Sequence, residues 1–235
     1  MYRSVVSGSD QEAMDPVSAE SPKLTVPAIV DAAIAVADRD GMGALSMRRI
    51  ADELGVGAMS LYRHVAGKDD LIEEMTVEVG RRFPYPIDAE PALGWRERVA
   101  AATDIDWELY QRHPWVVQAY TSPRYGFSIE SLRCLDWLVG GFMDGLGVDV
   151  EVATEMSLTV WSYVNGVALA VLPSVALDTD SDVPGGLVDV IEGRVADAPP
   201  HLAGLVGSAR GGELTDPRAQ VDRGIAWLCA GFAAG

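Results

Sequence analysis

The twenty residues from Leu45 to His64, LSMRRIADELGVGAMSLYRH, constrain the fold more than any other part of this chain. They read as two short helices joined by a tight turn. Ser46 suits an N-cap, and Gly55 can end the first helix in the left-handed conformation without a Cβ penalty. Ala51 is small enough to let the second helix cross close by, and Ile50, Leu54, Val56 and Leu61 supply apolar contacts that lock the pair. Two short helices at a steep angle with a turn of about three residues make a helix-turn-helix. The outward face of the later helix would then carry Ala58, Met59, Ser60, Tyr62 and Arg63. Such a face offers hydrogen-bonding and methyl-contacting groups to base edges in a major groove. Arg48, Arg63, His64 and Lys68 flank it, where phosphates would lie. A plain helical hairpin in a bundle would also explain Ala51 and Gly55, but not the basic cluster.

Charge distribution sharpens this. The 235-residue chain has a formal net charge of −17, which by itself argues against a polyanionic partner. Residues 84–235 carry 9 basic and 21 acidic side chains. Within 46–68 the sign reverses, with Arg48, Arg49, Arg63 and Lys68 against only Asp52 and Glu53. A small basic island sits on an acidic molecule.

Residues 1–22 lack a sustained apolar period and predict a disordered arm with no secretory core. From Thr25 the spacing of Val26, Ile29, Val30, Ala33 and Ala37 predicts a helix capped at Thr25 and stopped at Gly41. Further helices are expected over 46–54, 58–64 and 68–83, the last with Asp69 and Asp70 in its first turn. Pro84-Tyr-Pro86 breaks the pattern and predicts a domain boundary, giving a unit over 23–83 and another over 84–235. Longer helices follow over 93–113, 126–145, 149–172 and 215–234, with a short one after Pro114. The Pro- and Gly-bearing stretch 173–214 predicts a loop, with room for a helix near 187–195. No segment demands a strand, so the chain is expected to be all-α. Met156–Leu177 is free of charge over 22 positions, but Asn165, Gly166 and Pro173 interrupt it and acids flank it. A helix buried in a core or subunit interface is preferred to a membrane span.

The motif resembles the DNA-binding domain of the TetR family of bacterial transcriptional regulators, from about Leu24 to Arg82. LSMRRIA from Leu45, LYRHV from Leu61 and KDDL from Lys68 carry the likeness. The remainder resembles the regulatory domain of the subgroup containing the tetracycline repressor, through His113-Pro-Trp115 and DRGIAWL ending at Leu228. The resemblance implies that Ser46, Met47 and Arg48 approach the DNA backbone and groove edge. It places Ala58, Met59, Ser60 and Tyr62 on the recognition helix and gives Arg63, His64 and Lys68 phosphate contacts. Met47 lacks the hydroxyl common at its position, and Ala58 cannot hydrogen-bond a base. Readout then leans on Arg48, Ser60 and methyl contact. It further implies a repressor that binds a palindromic operator as a homodimer and is released by a small apolar molecule.

In the acidic part, Trp95, Val99, Ala102, Asp106, Leu109 and His113 share one helical stripe, which places a carboxylate on a largely apolar face. A carboxylate there needs a partner. Either His113 or an Arg of another helix satisfies it, or it is partly exposed, or it faces a ligand cavity. Tyr110, Trp115, Trp137, Met156, Thr159, Tyr163 and Asn165 complete the candidate pocket residues, drawn from an aromatic-rich set that also includes Trp107, Phe142, Met143 and Trp161. Val221, Ile225, Leu228 and Phe232 form an apolar stripe on the last helix, read as a dimer interface with intramolecular packing as the alternative.

Other classes have little to stand on. Cys134 and Cys229 read as reduced thiols of a cytosolic protein, and the three histidines show no metal-ligand spacing. No metal or cofactor is expected. An all-α enzyme, or an adaptor whose helix-turn-helix meets protein, remains the rival, but no nucleophile elbow or phosphate-cradling glycine loop is present.

Overall fold

The computed structural model describes residues 24–89, 92–171, 191–194, 198–208, 214 and 216–234. The expected arm over 1–22 and most of the expected loop over 173–214 lie outside them, as does the helix expected near 187–195 except for residues 191–194, of which 191 and 192 are helical. Among the described residues the chain is all-helical, in the order α1 (Val26–Asp40), α2 (Met47–Leu54), α3 (Ala58–Leu61), α4 (Lys68–Arg82), α5 (Trp95–Arg112), α6 (Trp115–Ala119), α7 (Pro123–Gly126), α8 (Ile129–Leu146), α9 (Val150–Val171), α10 (Pro200–Ala203) and α11 (Pro217–Phe232).

Local chemistry sets the helix ends. Thr25 Oγ1 accepts from the Ala28 amide at 3.3 Å, and Gly41 closes α1. Ser46 Oγ accepts from the Arg49 amide at 3.2 Å, so one orphan donor of α2 is satisfied. Gly55 ends α2 at φ 66° and ψ 29°, a conformation that costs most residues strain. Chain direction reverses there, and α3 crosses α2. Ile50 and Leu61 are fully buried at the crossing, Ala51 lies beneath it, and Leu54 and Val56 pack against the same core.

Helices α1 to α4 close on Ile29, Ala33, Leu45, Leu71, Met75 and Val79. After α4 the chain runs without helix through Pro84-Tyr-Pro86. Helices α5, α8 and α9 then pack together, and α11 lies along α9. The helix expected over 126–145 is α8, which starts three residues later, where Ser128 Oγ accepts from the Ser131 amide at 3.1 Å after the short α7 has ended at Gly126. The α9–α11 contact is close because Gly224 has no side chain. A Cβ there would lie 2.1 Å from the Tyr163 ring, whose hydroxyl donates to the Gln220 carbonyl at 2.8 Å.

Residues 156–171 of the charge-free stretch lie in α9, with Ser157, Val160, Val164 and Ala168 buried, and residues 172–177 lie outside the described residues. Among the described residues no helix is long and apolar enough to cross a membrane.

The apolar stripe of α11 packs within the protomer. Val221 and Ile225 are buried, Leu228 packs on the core, and Phe232 meets the Phe142 ring edge-on at 5.5 Å. Val221 and Ile225 face inward, while Leu228 and Phe232 are half-buried and keep part of their surface outside the core. Trp227, on the opposite side of the same helix, is 73% exposed.

Candidate DNA interface and effector cavity

The first candidate site is the outer face of α2 and α3. Met59 is 78% exposed and Tyr62 is exposed beside it, an arrangement that wastes apolar surface in water. Ser46, Arg48, Arg63, His64 and Lys68 are also exposed, Ala58 and Ser60 are half-buried, and the Arg63 guanidinium donates to Ser60 Oγ at 3.2 Å. Met47 differs from the expectation. It is buried against the core, so its side chain turns away from the outer face. An apolar side chain in the first turn of a short amphipathic helix is drawn inward where the hydroxyl common at that position would face out.

Neighbouring cations are held differently. Arg49 pairs with Asp40 at 3.0 Å, and Arg39 bridges Asp40 and Glu53. By contrast, Arg48, His64 and Lys68 show no side-chain hydrogen bond or ion pair among the described residues. Arg48 and Lys68, left unneutralised beside an apolar and hydroxyl-bearing surface, suit a polyanion whose bases are reached between its phosphates.

The second candidate site is a cavity among α4, α5, α7, α8 and α9, with Tyr120 from just after α6. It leaves about 100 Å³ of free volume to the centres of water-sized groups. Phe83, Tyr85, Leu109, Tyr120, Phe127, Leu135, Leu138 and Trp161 give it apolar and aromatic walls, while Thr103, Asp106, Glu130, Ser131, Cys134 and Ser157 supply polar groups. Asp106 Oδ1 accepts a hydrogen bond from the Tyr85 hydroxyl at 3.0 Å. Burial pushes the Asp106 carboxyl up to about 7, against the opposing pull of that hydrogen bond. Burial, reinforced by Asp106, also pushes the Tyr85, Tyr110 and Tyr120 phenols up, and the Cys134 thiol to about 11. No Arg, Lys or His lines the cavity among the described residues.

Of the expected pocket residues, Asp106 lines this cavity. Tyr110 is fully buried with its ring edge-on to Tyr120, and burial, with the charge of Asp106 behind it, raises its phenol. Trp115 and Trp137 are buried elsewhere, the latter against the Tyr85 ring. Met156 is half-buried, exposed Thr159 donates to the Glu155 carbonyl at 2.7 Å, and Tyr163 braces α11. Asn165 is buried with Oδ1 lacking a hydrogen-bond partner among the described residues. None of these seven is among the lining side chains.

His113 does not partner Asp106. Its Nδ1 donates to Asp38 of α1 at 2.8 Å, and the Trp115 indole Nε1 donates to the same carboxylate at 2.8 Å. Asp38, Tyr85, Tyr120 and Phe127 were not singled out in the sequence. For Tyr85 a signal existed: an aromatic held between two prolines has a fixed direction and little entropy left to lose.

A helix-turn-helix with an exposed cationic face, joined to an all-helical body with a largely apolar cavity, defines a DNA-binding regulator. Residues 29–75 match the family model described as bacterial regulatory proteins, tetR family. An HTH-type transcriptional regulator of Saccharopolyspora erythraea is 33% identical over 92% of this chain and 88% of its own length. The HTH-type transcriptional repressor DrrR1 of Streptomyces coeruleorubidus is 43% identical, but that match takes in 46% of this chain and 39% of that repressor. The solved structure of the TetR family protein ActR of Streptomyces coelicolor, in complex with actinorhodin, superposes with TM-score 0.66 at 25% identity over 91% of this chain and 98% of ActR. The chain belongs to the TetR family of transcriptional regulators.

Proposed function

We propose that this protein is a repressor that holds operator DNA as a homodimer and lets go when a small, largely apolar molecule enters the cavity. The reading divides the chain into a DNA-binding unit over 23–83 and a regulatory and dimerising unit over 84–235. One observation carries it. Asp106 in the cavity and His113, bonded to the DNA-binding unit through Asp38, lie seven residues apart at the end of α5. Two helical turns, about 10 Å, separate them along one stiff element. A ligand that displaces α5 therefore moves the partner of α1 as well, and release needs only that it bind the two arrangements with different affinity. The complex of ActR with actinorhodin supports a small-molecule effector, and the name of DrrR1 supports repression.

Dimerisation is assigned to the outer faces of α9 and α11 rather than to the stripe expected from sequence. Thr159, Ser162, Gly166 and Ala170 lie exposed along one line of α9, and α11 exposes Trp227, Ala230 and Gly231. Small residues around a large exposed aromatic suit close helix packing across a two-fold axis. Two heads are needed because one helix-turn-helix covers too little DNA for a specific operator. Footprinting on the DNA beside the gene is the direct test. A two-fold symmetric protected site that disappears on adding an effector is the expected result, and protection without symmetry would defeat the homodimer reading.

A further inference from the structure

We infer that the effector is an apolar molecule bearing a protonated amine, and that Asp106 is the group that holds the amine. The inference rests on the reading of the cavity as the effector site and adds the chemistry of its occupant.

The charge inventory of the cavity decides the sign. Asp106 and Glu130 line it, and no cationic side chain does so among the described residues. Glu130 lies 4.0 Å from the exposed Arg81 guanidinium of α4 and is already answered. Asp106 is not. It accepts one hydrogen bond, from Tyr85, and its Oδ2 takes none among the described residues. The groups facing it are phenols of Tyr85, Tyr110 and Tyr120, and the Cys134 thiol, all neutral near pH 7 because burial raises them. An anionic ligand would meet two carboxylates and no counter-charge. A neutral ligand would leave Asp106 to be neutralised by a proton. An ammonium group instead supplies the missing charge and fills the empty oxygen with a charge-assisted hydrogen bond, while the aromatic walls take the apolar body. Cations also sit favourably over Tyr and Trp faces.

Proton exchange follows. The empty site holds a proton on Asp106 up to about pH 7, and the ammonium must displace it. Affinity for the cation should therefore fall by about tenfold for each pH unit below that point, and level off above it. The other carboxylate lining the cavity, Glu130, lies 4.0 Å from the Arg81 guanidinium.

Three fluorescent probes with one ring system separate the possibilities: dansylcadaverine, which ends in an amine, N-pentyl dansylamide, which is neutral, and dansyl-aminohexanoic acid, which is anionic. Binding to the full-length protein, without DNA, is followed by fluorescence between pH 5.5 and 8.5. The expected result is tightest binding of the amine at pH 8, with the pH slope above, and pH-independent binding of the neutral probe. Asp106→Asn should weaken the amine by at least about tenfold at pH 8, flatten its pH dependence, and leave the neutral probe unchanged. Glu130→Gln should retain the amine's pH slope. Equal binding of all three probes, tighter binding of the acid, or an unaltered amine curve in Asp106→Asn overturns the inference, as does failure of the amine probe to bind. Operator release is measured separately. An amine that binds through Asp106 yet leaves the protein–operator complex intact would sink the release reading and leave the ligand assignment standing.

Discussion

Asp38 and Trp115 lie 77 positions apart in the chain, and the indole Nε1 of the second donates to the carboxylate of the first at 2.8 Å. His113, only 5% exposed, donates to the same carboxylate, so α1 is fastened to the α5–α6 junction by two bonds on one acceptor. Arg82 makes a further tie to Asp31 of α1 from the end of α4. This corner is one link between the cavity and the DNA face; α4, which lines the cavity at Gly80 and packs on α1, is another.

Replacing that acceptor tests the coupling. Asp38→Ala strands two buried donors and should cost about 1–3 kcal/mol of stability. Operator affinity should change little, because the DNA face is untouched, while the effector concentration needed for half-release shifts. Titrating the preformed operator complex with effector measures this. Superimposable curves for wild type and variant would show the corner to be structural only.

Phosphate contacts have a salt signature. Arg63→Ala and Lys68→Ala should weaken binding to specific and random duplexes alike, and each should flatten the dependence of log K on log salt by about one unit. Anisotropy titrations across a salt series read the slope. Arg48→Ala should act differently, relaxing preference at one base position at a cost of about 1–3 kcal/mol.

Asp106 also has a stability signature. Its carboxyl is pushed up to about 7 by burial, whereas the unfolded chain releases that proton near the ordinary carboxylate value of about 4. Between those limits the folded state binds more protons, so this group's contribution to stability is full at low pH and is lost as pH rises toward 7. Asp106→Asn removes the loss while keeping an acceptor for Tyr85. The variant should match wild type near pH 4 and exceed it above pH 7, by up to about 4 kcal/mol. Urea unfolding at several pH values provides the comparison.

The two faces of α11 should respond oppositely to charge. Trp227→Glu puts a carboxylate on the exposed face and should yield a folded monomer with weak operator binding. Leu228→Glu, one residue on, puts it against the core and should lower the melting temperature first. Sedimentation together with thermal unfolding separates them. A Trp227→Glu protein that still sediments as a dimer would move the interface elsewhere.

Local chemistry explains what could be read from the chain. The caps at Thr25 and Ser46, the left-handed Gly55 and the buried Ile50 and Leu61 all act within a few residues of one another, so the sequence alone specified the helix-turn-helix and its cationic, methyl-bearing face. The all-helical body followed from apolar spacing. Periodicity reports which face of a helix is apolar, not which neighbour covers it. That is why the α11 stripe could be read as an interface, although Phe142 and the α9 side chains cover it inside the protomer. The cavity's walls come from five helices and the linker after α4, and their convergence is a property of packing rather than of any one segment. Tertiary structure likewise decided the partners of the charged groups. A single carboxylate at 38 draws two donors from beyond position 112. Asp106 is left with Tyr85, because the shape of the bundle determines which polar groups can meet within hydrogen-bond distance away from water.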